Sequence, residues 1–192
     1  TGMATLAEID EAVRIARDCG CGPLALLKCT SSYPADPTFS NINTLPYLRD
    51  LFNCEVGLSD HTLGIGVAVA SVALGASIIE KHFTLGRQEG GVDAEFSLEP
   101  EELKLLVAES KRAQLALGKV SFDLCADEKK SLIFRRTLYI CEDMQAGDVL
   151  TPENLRSIRP GFGLSPKYYD KFLSKKVKCA IKKGTPLQWD HI

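Results

Sequence analysis

Two apolar runs that each close on a histidine, twenty-one residues apart, limit what this 192-residue chain can become more than any other feature in it. The first ends in Gly57-Leu58-Ser59-Asp60-His61-Thr62 and the second in Glu80-Lys81-His82-Phe83. An apolar run that finishes in a polar cluster is the pattern of a strand buried in a parallel sheet, with its functional groups at the carboxyl end. Between them, Leu63 to Gly75 is rich in Ala, Val and Gly and has the length of a crossover helix lying close on a sheet. The unit is strand, helix, strand, and it brings His61 and His82 to the same end of neighbouring strands.

Two neutral imidazoles held that close can ligate a divalent metal and leave coordination positions for substrate oxygens and water. An incomplete protein shell suits a catalytic ion rather than a structural one. Spacing alone leaves a simpler alternative open, in which each histidine bonds backbone at the end of its own strand.

The same alternation continues on both sides. Thr5-Leu6-Ala7-Glu8 reads as a capping box, and Leu6, Ile9, Val13 and Ala16 give a helix to about Arg17 its apolar stripe. Leu24 to Thr30 is a strand closing on Thr30-Ser31-Ser32-Tyr33-Pro34, a hydroxyl cluster that can bind phosphate or sugar or simply turn the chain. Asn43 to Phe52 reads as a helix, Glu55 to Ser59 as a strand, Gly64 to Leu74 as a helix and Ser77 to Phe83 as a strand. That order requires parallel strands with helical crossovers. Three such strands do not close on themselves, and Thr1-Gly2-Met3 reads as a strand-to-helix loop. An amino-terminal part of an α/β barrel is therefore expected ahead of Thr1.

Beyond His82, a loop from Leu85 to Phe96 carries Asp93, suited to a sugar hydroxyl or to a turn. Pro100 and Glu99, Glu101 and Glu102 open a helix with Leu103, Leu106, Val107 and Ala113 inward, ended by Gly118. Residues 119–132 read as a polar linker.

From Ile133 the texture changes to short strands and turns. Met144 to Leu150 and Ile181 to Leu187 share a pattern of apolar residue, glycine turn and apolar residue thirty-seven positions apart, which predicts a pseudo-repeated β module. Thr151-Pro152 and Ser165-Pro166 suit the starts of two short helices. Between them, Arg156 to Leu164 reads as an exposed loop in which Pro160, Gly161 and Gly163 present an arginine. Residues 133–192 hold 11 Lys and Arg against 6 Asp and Glu, net +5, and residues 1–132 hold 12 against 19, net −7. Two modules of different character follow. The basic residues do not interleave with aromatics, which excludes a nucleic-acid pattern and favours an anionic ligand or the acidic module itself.

No apolar run has membrane-spanning length, and no basic region followed by an apolar core opens the chain, so the expectation is a soluble, cytoplasmic protein with no membrane partner. The seven cysteines form no C-x-x-C pair and are expected to be reduced packing residues for the most part, none of them beside an activating histidine in sequence.

Five ordered motifs carry a family resemblance: Lys28-Cys29-Thr30-Ser31-Ser32-Tyr33-Pro34, Gly57-Leu58-Ser59-Asp60-His61-Thr62, Glu80-Lys81-His82-Phe83-Thr84, Ser97-Leu98-Glu99-Pro100 and Arg159-Pro160-Gly161-Phe162-Gly163. Together they resemble the sialic acid synthase family. Gly91 to Ser97 and Phe162 are similar to its pseudaminic acid synthase branch.

The resemblance implies an α/β fold: the carboxyl-terminal part of a (β/α)8 TIM barrel in residues 1–118, then a small β-rich SAF, or antifreeze-like β-clip, domain in residues 133–192. It implies condensation of phosphoenolpyruvate with an N-acetylated amino-sugar, a diacetamido-trideoxy-altrose in the pseudaminic branch, to a nonulosonic acid and phosphate. His61 and His82 would hold Mn2+ or Mg2+, with Glu80 and Asp60 orienting them. Thr30, Ser31 and Ser59 would contact phosphoenolpyruvate, and Tyr33 and Asp93 the sugar. Arg159 would reach across a domain-swapped homodimer to an N-acetyl carbonyl. About five strands of the family's barrel, with its early glutamate and phosphate-neutralising lysines, have no counterpart here. The chain alone is therefore expected to be inactive, and product formed from phosphoenolpyruvate, metal and sugar would refute that. The alternatives are an N-acetylneuraminate synthase and a noncatalytic sugar-binding or dimerising module.

Overall fold

The first helix shows how directly local chemistry sets the elements. Thr5 caps α1 (Leu6–Asp18): its backbone N–H donates to Glu8 at 2.7 Å and its hydroxyl accepts from the Glu8 N–H, closing the expected capping box. Those hydrogen bonds hold the Glu8 carboxyl below its ordinary range. Val13 is buried and Ile9 packs beside it, whereas Leu6, expected inward, is exposed.

The computed structural model describes all residues from Thr1 to Ile192, in two units, Thr1–Val120 and Ser121–Ile192. In the first unit β1 (Ala25–Cys29), β2 (Glu55–Asp60) and β3 (Ile78–Lys81) form a parallel sheet in the order β1-β2-β3. The crossovers are α2 (Thr44–Phe52) and α3 (Gly66–Ala73), followed after β3 by α4 (Pro100–Leu117). Val56 of β2 meets Val13, Leu45, Leu48 and Phe52 in one apolar cluster, and Ile79 of β3 meets Ala68, Leu98 and Leu106 in another. The helices thus cover one face of the sheet. The other face carries Leu27, Gly57 and Ile78, where β2 lies so near its neighbours that a Cβ on Gly57 would collide with the Ile78 carbonyl oxygen and the Leu27 side chain. On α4 only Leu106 of the expected inward residues is buried; Leu103 and Val107 are exposed, because α3 covers only a narrow stripe of that helix.

The second unit contains α5 (Ala126–Ser131), β4 (Thr137–Ile140), β5 (Leu155–Ile158) and α6 (Tyr169–Phe172), with β4 and β5 antiparallel. The stretch expected to be linker therefore includes a helix, capped by Cys125 and Glu128 in another capping box. The thirty-seven-residue repeat is an internal pseudo-twofold. Met144 and Ile181, equivalent in the two copies, bond each other reciprocally at 2.8 and 2.9 Å. Gly184 N–H donates to Ile140 O and Gly147 N–H to Val177 O, both at 2.8 Å, and each bond is the other's image under the repeat. Gly147 and Gly184 both have positive φ, 93° and 87°, which a side chain would resist. The pairs Ile140 and Val177, Met144 and Ile181, and Leu150 and Leu187 all lie in one buried core.

Two local expectations fail here. Thr151-Pro152 starts a turn rather than a helix, because Asn154 accepts from Thr151 N–H at 2.8 Å and donates to Val149 O at 2.9 Å, closing the chain before β5. The segment read as one loop begins as β5 itself. No helix is long and apolar enough to cross a membrane. All seven cysteines are free thiols; Cys19, Cys21, Cys125 and Cys179 are exposed, not packing residues as expected.

Candidate functional site

In a parallel sheet alternate residues face opposite sides, so the row Cys29, Ser59 and Glu80 lies on the open face, and His61 and His82 continue it past the strand ends. The two imidazoles stand with ring centroids 5.2 Å apart, edge to face. Tyr33, from the loop after β1, places its ring 4.3 Å from His61 and 6.0 Å from His82. Phe96 closes the other side, 5.0 Å from His82 and 5.8 Å from Tyr33. Backbone bonds set these loops: Ala35 N–H donates to His61 O at 2.9 Å, and Leu98 N–H to His82 O at 2.8 Å.

The imidazole nitrogens are differentiated by their partners. His61 Nδ1 lies 2.9 Å from the Thr30 carbonyl oxygen, which can only accept, so in the neutral ring Nδ1 carries the proton and Nε2 keeps a lone pair. His82 Nδ1 faces Asp93 Oδ2 at 3.6 Å, where a carboxylate favours the same tautomer. Cys29 Sγ is 3.9 Å from His61 Nδ1 and 3.7 Å from Ser31 Oγ, which brings a thiol into the site that no sequence neighbour announced.

The hydroxyls differ in what they have left to offer. Ser59 donates to Glu80 at 2.7 Å, and Thr30 donates to Phe39 O at 3.2 Å. Ser31 is exposed, with no carboxylate or carbonyl partner. Lys28, half-buried behind Thr30, donates to Cys29 O at 2.9 Å, and burial pushes its ammonium pKa down.

Two expected roles fail on geometry. Asp60 makes no bond to an imidazole: one residue out of step with His61, it points to the helix-covered face and pairs with Lys81 at 2.9 Å, fully buried. Glu80 shares the open face with the histidines, yet its carboxylate holds Ser59, not an imidazole. The group that hydrogen-bonds an imidazole is Thr30 O, on His61, while Asp93 faces His82 at 3.6 Å. Sequence reasoning also missed Phe96, although it sits in a motif already singled out; its aromatic character just after the glycine loop was the available signal.

Arg159 belongs to the second unit, where it is exposed at the end of β5. The chain beyond it is tied down by Thr137, whose hydroxyl donates to Pro160 O at 2.8 Å and accepts from Gly163 N–H at 3.0 Å. Gln188 donates to Phe162 O at 2.8 Å. The loop is thus a fixed platform for its arginine.

No group of three or more His, Cys, Asp or Glu side chains is arranged to hold an ion, so a cation at this site would rest on two protein ligands. Two neighbouring imidazoles fit that role, since neutral nitrogen donors suit a divalent transition metal and leave its remaining positions open.

A parallel sheet bearing paired histidines at its carboxyl end, with a β-clip unit built on an internal twofold, defines the class as a two-module α/β protein. The chain belongs to the NeuB family: the family's model matches residues 1–122, and the SAF domain model matches residues 135–192. It is 40% identical over 188 residues to the pseudaminic acid synthase of Campylobacter jejuni, covering 98% of this chain and 55% of that one. It is also 40% identical over 178 residues to the N,N'-diacetyllegionaminic acid synthase of the same organism, covering 91% of this chain and 53% of that protein. Among solved structures, the spore coat polysaccharide biosynthesis protein of Bacillus subtilis matches with a TM-score of 0.59 and 30% identity, over 100% of this chain and 59% of the other. The chain spans about half the length of the curated relatives it matches.

Proposed function

We propose that this chain supplies the cation-binding part of the barrel, residues 1–118, and the SAF domain, residues 133–192, of a phosphoenolpyruvate-dependent nonulosonic acid synthase of the pseudaminic type. In this reading C3 of phosphoenolpyruvate attacks the aldehyde carbon of a diacetamido-trideoxy-altrose. Water adds at C2, and phosphate departs with cleavage of its carbon–oxygen bond. A divalent cation, Mn2+ or Mg2+, held on Nε2 of His61 and His82 would polarise that aldehyde and stabilise the oxyanion formed as the carbon–carbon bond closes.

The chain's own groups bind and orient. Thr30 O holds the Nδ1–H of His61, and the Asp93 carboxylate facing Nδ1 of His82 favours the same tautomer, which leaves each Nε2 a lone pair. Ser31, with its hydroxyl free of carboxylate or carbonyl partners, is the readiest donor to the phosphate or carboxylate of phosphoenolpyruvate, backed by Thr30 and by Ser59 on Glu80. Tyr33 and Asp93 flank the histidines where the sugar is proposed to lie, with the Tyr33 ring offering a stacking face. Arg159 on its fixed loop is suited to an N-acetyl carbonyl, in the barrel of a second subunit of a domain-swapped homodimer.

The observation that carries this reading is the pair of imidazoles 5.2 Å apart at the end of adjacent parallel strands. Calorimetric titration of the 192-residue chain with MnCl2 tests it. A saturable site is expected, weakened at least about tenfold by His61→Ala or His82→Ala; equal affinity in all three proteins would overturn it. The equal 40% identity to a legionaminic acid synthase supports N,N'-diacetyllegionaminic acid as the alternative product.

A further inference from the structure

Asp60 and Lys81 each stand one residue before a histidine, and they are register partners at the ends of β2 and β3. Their side chains lie on the face of the sheet opposite the imidazoles and are 2% and 3% exposed. Asp60 Oδ2 accepts from Lys81 Nζ at 2.9 Å, and Asp60 Oδ1 accepts from Thr62 N–H at 2.9 Å. Lys81 Nζ also donates to Thr62 O at 2.5 Å. The ring of bonds therefore grips the main chain on both sides of His61, at residues 60 and 62, and fastens it to the residue before His82. Thr62 contributes through its backbone alone, since its buried hydroxyl oxygen has no partner.

Net stability is a poor reason to keep such a pair. Desolvating two charges offsets most of their attraction, and an apolar pair of similar volume commonly does as well or better. What a neutral pair would not supply is the double fastening of Thr62, a directional constraint on the peptide that carries His61. We infer that Asp60 and Lys81 are positioning residues: their ion pair fixes the main chain of His61 relative to that of His82, and so the spacing at which the two imidazoles present Nε2. This rests on the reading of His61 and His82 as a cation site, and it assigns the clamp to groups that never touch the cation.

The test uses the 192-residue chain with Asp60→Asn/Lys81→Met, with Asp60→Asn alone, and with His61→Ala. Three quantities are read: the unfolding midpoint, the Mn2+ dissociation constant by electron paramagnetic resonance titration, and the metal-free long-range 1H–15N spectrum of the imidazoles. The double variant is expected to fold with a midpoint near the wild type, to bind Mn2+ about tenfold more weakly, and to lose the single Nδ1–H tautomer of His61. Asp60→Asn keeps an acceptor for Thr62 N–H and should shift both site readouts in the same direction by less. It also decides the matter if the double variant does not fold. A folded variant with wild-type affinity and an unchanged imidazole spectrum would overturn the clamp. Should His61→Ala bind Mn2+ as the wild type does, the cation reading fails, and the metal-free spectrum then decides the clamp by itself.

Discussion

The two units solve the burial of polar groups in opposite ways. The second unit buries ten apolar residues in one cluster, and its only buried polar residue is Thr137, whose hydroxyl is spent on the loop bearing Arg159. The first unit buries Ser59, Asp60, His61 and Thr62 consecutively at the end of one strand, together with Ser40, Ser71 and Ser97. Its sheet is covered by helices on one face, while on the other Ile78 remains 40% exposed. The difference separates scaffold from site. A module that closes its own hydrogen bonds by internal symmetry can present one arginine rigidly. A module that collects polar groups at the carboxyl end of a sheet keeps them together where a ligand could meet them.

Trp189, the single tryptophan of the chain, lies in the second unit, so its fluorescence reports that unit while circular dichroism follows both. Lys81→Met should have the largest effect, about 3–5 kcal/mol, because it leaves the Asp60 carboxylate buried without its partner. The loss should be visible in the dichroism transition and absent from the Trp189 transition. Leu138→Ala is the mirror test. It removes a fully buried core residue of the second unit and should cost about 2–5 kcal/mol in the fluorescence transition, with Mn2+ binding unchanged. If each variant moved both transitions equally, the contrast between the units would be lost.

Gly57→Ala should cost about 1–3 kcal/mol, since its Cβ meets the Ile78 backbone, which cannot yield as a side chain would. It should weaken Mn2+ binding as well, because β2 and β3, the strands that lead into the histidines, must part at the Gly57–Ile78 pair. The smallest effect concerns pH. Backbone N–H of Lys183, with the Lys182 ammonium, holds the exposed Asp143 carboxyl below its ordinary range. A depressed carboxyl contributes stability that is complete above the ordinary carboxylate pKa, about pH 4, and is lost as pH falls toward its folded value. Asp143→Asn should therefore lower the neutral-pH Trp189 midpoint slightly and converge with wild type in acid, which flattens the acid limb.

Much of the fold could be read from spacing. The histidines announced themselves because strand, helix and strand repeat with a fixed length, and the pseudo-twofold was visible because Gly147 and Gly184 must both hold positive φ at equivalent places. What sequence could not convey was direction. Asp60 adjoins His61 in the chain, yet strand alternation turns it to the buried face, and Glu80, properly placed on the histidine face, is taken by Ser59. Short elements were hidden for a different reason. The four residues of β5 carry too little alternation to stand out beside Pro160 and Gly161, and Asn154 rather than Thr151-Pro152 decides how the chain turns ahead of it. Cys29 and Phe96 reach the histidines only through tertiary folding.

The most direct measurement is pulsed electron paramagnetic resonance of Mn2+ bound to the 192-residue chain, which detects nitrogen nuclei coupled to the ion. Couplings from two imidazole nitrogens are expected, one lost in His61→Ala and the other in His82→Ala. A spectrum with oxygen ligands alone, or one unchanged by both substitutions, would contradict a cation site on His61 and His82.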